Sequence, residues 1–309
     1  LSDYHPNTET LDPESWVRTA WEAGMGYVVL ITKHHDGFVL FDTQYTEHSV
    51  MHVPDEAARR DIVAEVAAAC RKYGVKLGLY YSIWDMNWEK EHPRSDYPDR
   101  RAWDQANADY AYNQIEELMS NYGEISELWI DGGWLKETER WEYERIYHMV
   151  KELQPGCQMS VNLTIGNADP SKLQGGETIV NFPSDFRLYD GKDTANSDTD
   201  PKLFTHNGET YYLPFEGTFR IGNGWFWNKN SSAATIERSA ENIQSLYTRY
   251  IKQGNTLVIN VPPTDQGLLT DFETAEIYKA ARLLGIAKGA ARSEADRQEN
   301  PCEVEIHYT

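Results

Sequence analysis

Short runs of β-branched and aromatic residues alternate with helical patterns along this chain, and that alternation restricts the fold more than any other feature. "GYVVLIT" (26–32), "VKLGLYYSI" (75–83), "ELWID" (127–131), "MSVNL" (159–163) and "NTLVINVP" (255–262) are nearly continuous apolar runs of strand length. Such runs mark strands buried on both faces. Between them, "AARRDIVAEVAAACRKYG" sets Ile62, Val63, Val66 and Cys70 near helical spacing and stops at Gly74. Helical periodicity also covers 103–121, 137–153, 233–253 and 271–285, each ending at or near Gly or Pro. One helix, "DPESWVRTAWEAG", precedes the first strand. Repeated strand-then-helix units predict a parallel sheet with right-handed crossovers. The region 164–230, rich in Gly, Asn, Asp and aromatics, predicts two or three further short strands, near "ETIVNF" and "LPFEGTF". That makes about seven strands where a closed (β/α)8 barrel needs eight. Either a first strand lies upstream of Leu1 or the sheet is open.

With 309 residues, 40% of them hydrophobic, the chain can bury the core of one large α/β domain. Its 29 Lys and Arg against 49 Asp and Glu give a formal charge of −20. That charge repels phosphate backbones and anionic membrane surfaces, so neither nucleic acid nor a membrane is an expected partner. Cys70, Cys157 and Cys302 form no CxxC pair, which leaves a disulfide scaffold or zinc ribbon unsupported. No apolar run reaches the length of a membrane helix and no signal peptide is visible, although the missing initiator Met leaves room for a removed upstream segment. The expected protein is soluble, and its compartment, periplasmic, secreted or cytoplasmic, stays open. Ten Trp and 19 Tyr supply flat rings with a polar handle, suited to sugar faces as well as to a core.

Chemistry-bearing residues gather at the carboxyl ends of the expected strands. His34, His35 and Asp36 follow the first, Trp84 and Asp85 the second, Asp131 ends the third and Asn162 the fourth. Barrel enzymes keep their active sites on that face. Asp131 closes an apolar run and precedes two glycines, which would let a ligand approach the backbone; a helix N-cap is the competing explanation. Adjacent His34 and His35 in extended backbone would point to opposite faces and could not share a metal without a turn, and neither stands in an HxH or HxxxH spacing. Hydrogen bonding to hydroxyls in a pocket fits them better.

"TKHHDGF", "RRDIVAEVAAACRKYGVKLGLYYS", "ELWIDGG" and "GNTLVINVPPTDQGLL", in that order over residues 11 to 285 or so, together resemble the retaining α-L-fucosidases of glycoside hydrolase family 29. The resemblance implies a (β/α)8-like catalytic domain over 1–285, apparently lacking its first strand, and a tail, 286–309, that is no separate domain. It implies cleavage of terminal α-L-fucose from a fucosylated glycan by double displacement, with no metal or cofactor, and it is compatible with a homo-oligomer. By the same resemblance Asp131 is the nucleophile, His34 and His35 bind fucose hydroxyls, and Trp129 and Tyr81 line the pocket. Trp225 and Trp227 offer further apolar contact to the methyl group of this 6-deoxy sugar. Two glutamates resemble acid/base positions: Glu177 in "GGETIVNFPSD", which is favoured, and Glu216 in "LPFEGTFRIGNGWFWN", for which a loop carboxylate paired with Arg220 is the alternative.

A retaining mechanism needs its two carboxyl groups roughly 5 Å apart, one ionised and one with a raised pKa. Three departures from the family pattern stand out. The family's first strand, with a further fucose-binding His, has no counterpart here, Thr164 occupies about the place of a frequent Arg, and the end of the chain is too short for the usual C-terminal β-sandwich. The competing readings are a non-catalytic fucose-binding protein on this scaffold and a glycosidase for a related sugar such as α-L-galactose. "PCEVEIHYT" at the end is expected at most to add one edge strand.

Overall fold

The computed structural model describes residues 7–135, 140–164, 179–190 and 202–292. Local chemistry sets its helix ends. α1 (Pro13–Glu22) starts where the Asp12 side chain accepts the Ser15 N–H and Pro13 sits where no N–H is needed. α2 (Ile62–Tyr73) starts at Asp61, whose carboxylate accepts from the Ala64 N–H at 2.8 Å, and ends at Gly74 with φ 66°, a left-handed value that glycine adopts freely. α3 (Met86–Glu91), α4 (Arg100–Asn121), α5 (Tyr143–Leu153), α6 (Ala240–Lys252) and α7 (Asp271–Leu284) complete the set.

Five strands fall where the apolar runs predict them: β1 (Tyr27–Lys33), β2 (Lys76–Ser82), β3 (Glu127–Asp131), β4 (Gln158–Val161) and β9 (Thr256–Asn260). The "LPFEGTF" stretch supplies β8 (Phe215–Arg220). "ETIVNF" differs: in its described part, from Ile179 on, the Val180 and Asn181 N–H groups donate to the Thr164 carbonyl, and the strand is β5 (Arg187–Asp190) instead. β6 (Leu203–His206) and β7 (Glu209–Tyr212) form an antiparallel hairpin that weak periodicity hid. Its turn, Asn207–Gly208, has φ 51° and 85°, and Asn-Gly is a strong short-range hairpin signal.

β1, β2, β3 and β4 pair in that order, all parallel. A parallel bridge between Asn162 and Leu188 ties β4 to β5, and β5, β8 and β9 continue the parallel order. Among the described residues β1 and β9 have a strand partner on one side only, so strand pairing does not close the sheet there. None of the described helices is long and apolar enough to cross a membrane.

Alternation divides each strand between two layers. Leu77, Leu79, Tyr81 and Ile83 of β2 and its end, Leu128 and Ile130 of β3, and Met159 and Val161 of β4 face the main core shared with α2, α4 and α5. Tyr80 and Trp129 face the other way, into a small aromatic cluster with Phe186 and Leu188. The chain beyond α7 stays packed as far as it is described: the Lys288 N–H donates to the Glu22 carbonyl at 2.6 Å, and Arg282 donates to the Ala291 carbonyl at 2.8 Å. Most of the expected tail, 293–309 with "PCEVEIHYT", lies outside the described residues. Leu79 is fully buried at the centre of the main core, so Leu79→Ala is expected to destabilise the fold by about 2–5 kcal/mol, read from denaturant unfolding; a loss under about 1 kcal/mol would contradict this packing.

Candidate active site

Asp131 is the last residue of β3, 5% exposed, on the same strand face as Trp129. Each of its carboxylate oxygens has a donor from a neighbouring strand. The Tyr80 hydroxyl on β2 donates to Oδ2 at 2.5 Å, and the Asn162 side-chain amide, just past β4, donates to Oδ1 at 2.9 Å. Tyr80 lies opposite Trp129 in the ladder, and their rings stack at 5.1 Å. The glycines that follow are required by the protein itself. Gly132 has φ 79°, and a Cβ there would lie 2.6 Å from the Trp84 Cβ; one on Gly133 would overlap the Tyr143 hydroxyl. Trp141 fixes this turn by donating to the Gly133 carbonyl at 2.8 Å. Space for a ligand is therefore not what these glycines provide.

The histidines converge. β1 ends at Lys33, and the chain then turns, with the Gly37 N–H donating to the His34 carbonyl at 3.0 Å. Extended backbone, the premise for expecting them on opposite faces, is gone by His34. Their ring centroids are 4.1 Å apart, and His34 lies parallel to Tyr80 at 5.5 Å. His35 Nε2 is 3.7 Å from Asp131 Oδ2, while His35 Nδ1 is 2.6 Å from the Ser82 hydroxyl. That hydroxyl spends its proton on the Trp84 carbonyl at 2.6 Å, so Nδ1 of His35 is the donor to Ser82. Burial, with His35 beside it, holds the pKa of His34 below the usual histidine range. A neutral imidazole offers one donor and one acceptor, which matches a sugar hydroxyl. The ligand atoms of His34, His35 and Asp131 all lie within 4.8 Å of one another, so among the described residues these three could hold a metal ion.

A buried ion pair supports the histidine turn from behind. Lys33 Nζ donates to Asp85 at 3.0 Å, and Asp85 also accepts from Tyr110 at 3.1 Å and from the Trp88 N–H at 2.7 Å. Gly37, at φ 82°, packs so closely on this carboxylate that a Cβ would overlap it, and the Met86 N–H donates to the His35 carbonyl at 2.9 Å. Removing one partner of such a buried pair costs about 3–5 kcal/mol.

Several expected site residues lie elsewhere. Tyr81 is fully buried in the outer layer, where its hydroxyl donates to Gln114 at 2.8 Å and accepts from Lys33 at 2.9 Å. The tyrosine at Asp131 is Tyr80, one residue earlier and on the opposite face; counting in twos from Asp131 across paired strands would have found it. Glu216 is not beside Asp131. It is the second residue of β8, 1% exposed, accepting from the Tyr27 hydroxyl at 2.7 Å and lying against Glu127. Its further hydrogen-bond partners are Trp129 and Thr256, and Glu127 starts the strand that Asp131 ends, so four residues of rise, about 13 Å, separate the Glu127 backbone from that of Asp131. Arg220 pairs with Glu237, not Glu216. Glu177 lies outside the described residues. From the "GWFWN" stretch the ring that meets His34 is Phe226, edge-on at 4.9 Å, whereas Trp225 lies beside the Arg220 guanidinium. Thr164 is buried and accepts the Leu188 N–H at 3.2 Å, joining β4 to β5.

Burial raises the Glu216 carboxyl from the usual glutamate range to about 7, and burial together with the charge of Glu216 pushes Glu127 up as well. A raised native pKa stabilises the fold while the group is protonated, and that contribution is lost as pH climbs through the native value. The melting temperature of the unmutated chain should therefore fall more between about pH 5 and pH 8 than that of Glu216→Gln. Parallel curves for the two would contradict the shift.

A family model described as "Alpha-L-fucosidase" matches residues 3–287. Alpha-L-fucosidase 1 of Arabidopsis thaliana is 28% identical over 271 residues, which cover 86% of this chain and 50% of that protein. A glycoside hydrolase 29 family member from an unknown rumen bacterium superposes with a TM-score of 0.72 at 27% identity, over 91% of this chain and 50% of the other. The α-L-fucosidase AlfC of Lactobacillus casei, solved in complex with Fuca(1,6)GlcNAc, shares the fold with a TM-score of 0.67 at 23% identity, over 92% of this chain and 82% of that one. The chain spans about half the length of the curated plant relatives it matches.

Proposed function

Because the chain belongs to the α-L-fucosidase family, we propose that it hydrolyses terminal α-L-fucosyl linkages of glycans with retention, through a covalent intermediate on Asp131. The observation that carries this reading is the Asp131 carboxylate, fixed by Tyr80 and Asn162 with two histidines beside it. Tyr80 and Asn162 orient the carboxylate for attack on an anomeric carbon lying over the histidine pair. As the Asp131 oxygen bonds that carbon, the bond to the leaving oxygen breaks and a carboxylic acid protonates it. Water, deprotonated by the same acid's conjugate base, then displaces Asp131 and releases fucose with the configuration it had.

We assign the acid/base role to Glu177, since the buried surroundings of Glu216 at the other end of the strands argue against it. The catalytic unit in this reading is residues 1–285. Seven parallel strands in one order support a (β/α)8 barrel short of one strand between β9 and β1 among the described residues.

Turnover of an aryl α-L-fucoside tests the reading. Asp131→Asn is expected to lower kcat about a thousandfold or more, with the first product from the unmutated chain being the α-anomer by NMR. Glu177→Gln should slow a sugar leaving group far more than nitrophenolate, which needs little protonation. Fucose binding without turnover would instead identify a sugar-binding protein on this scaffold, and a β-anomer would exclude retention.

A further inference from the structure

Each histidine of the pair meets an aromatic ring that the fold leaves about half exposed. Trp134, on the short turn after β3 (Gly133–Leu135), meets His35 edge-on at 5.5 Å and is 47% exposed. Phe226, on the segment after β8, meets His34 edge-on at 4.9 Å and is 53% exposed. Large apolar side chains are costly to leave in water, and two of them at one site with half their surface open mark a place where something apolar and flat settles.

From this juxtaposition we propose that Trp134 and Phe226 form an aromatic clamp for the leaving group, and that its occupant is a pyranose residue carrying the fucosyl unit. The inference rests on the proposed fucosidase reading for the position of the fucosyl ring. With that ring over the histidines and its anomeric carbon toward the 5%-exposed Asp131, the leaving group extends to the solvent side. Among the described residues, Trp134 and Phe226 are the exposed rings that meet the histidines, Trp84 at 4.8 Å from His35 being more buried. The centroid distances Phe226–His34, His34–His35 and His35–Trp134 are 4.9, 4.1 and 5.5 Å, so each ring directly adjoins the histidine pair on which the fucosyl ring is placed. Pyranoses present a flat C–H face that packs on such rings, whereas a small alkyl aglycone would leave them uncovered.

The test measures binding by calorimetry in an Asp131→Asn background, where turnover does not interfere. The ligands are free fucose and the disaccharide fucosyl-α-N-acetylglucosamine. The disaccharide should bind more tightly than fucose. Trp134→Ala and Phe226→Ala should each weaken the disaccharide by roughly three- to tenfold and fucose by less than about twofold, while Trp134→Phe recovers most of the loss. Retained fucose affinity also shows that each variant is folded.

Equal losses for both ligands would assign the rings to the fucosyl pocket and overturn the proposal. So would a disaccharide that binds no better than fucose, or alanine variants that change nothing. Absence of turnover in the unmutated chain would end the hydrolase reading, but the clamp would stand if the selective loss of disaccharide binding were still seen. If neither sugar bound, both would fall.

Discussion

The parallel register of β2, β3 and β4 is the constraint from which the site follows. Ser82 pairs with Asp131 across β2 and β3, Tyr80 with Trp129, and Ile130 with Val161 across β3 and β4, so that Asn162 arrives beside Asp131. Leu79, Ile130 and Val161, buried on the opposite face, fix that alignment, because a slip of one residue would turn them toward the site and turn Tyr80 and Asp131 into the core. Packing on one side of the sheet thus sets hydrogen bonding on the other.

Two buried acidic groups on the parallel strands, Asp131 on β3 and Glu216 on β8, have different surroundings. Asp131 receives a donor on each oxygen and has histidines for neighbours. Glu216, at the opening of its strand, lies against a second glutamate with Tyr27, Trp129 and Thr256 as further hydrogen-bond partners, and burial there outweighs these bonds and favours the neutral acid. A raised pKa is often read as a mark of catalysis, and here it occurs at the end of the sheet remote from the candidate nucleophile. Position along the strand, rather than the pKa, decides which carboxyl can meet a substrate.

Much of the fold is legible in the sequence because buried parallel strands and capped helices leave strong local signals. β1, β2, β3, β4 and β9 follow from their apolar runs, and α2 and α7 from the glycines that end them. Asp131 was legible because an acid at the end of such a run has few packing reasons to be there. Tyr80 and Tyr81 are adjacent tyrosines that only strand parity separates, and parity puts Tyr80, not Tyr81, on the face of Asp131. The divergence expected of His34 and His35 failed because the strand ends one residue before them. The "LPFEGTF" strand follows from its sequence, but the position of Glu216 near the start of β8, away from Asp131, is set by tertiary packing. The β6–β7 hairpin carries an Asn-Gly turn signal, but its short, half-exposed strands lack the apolar runs that mark the buried ones.

The central claim is that Asp131 attacks the anomeric carbon. It is tested most directly by incubating the chain with a fucosyl fluoride whose neighbouring hydroxyl is replaced by fluorine, which slows release of the glycosyl ester, and then mapping the adduct by peptide mass spectrometry. The account predicts one fucosyl adduct on the peptide containing "ELWIDGG", localised to Asp131 and absent in Asp131→Asn. An adduct on another carboxylate, or steady hydrolysis of the reagent by Asp131→Asn, would contradict it.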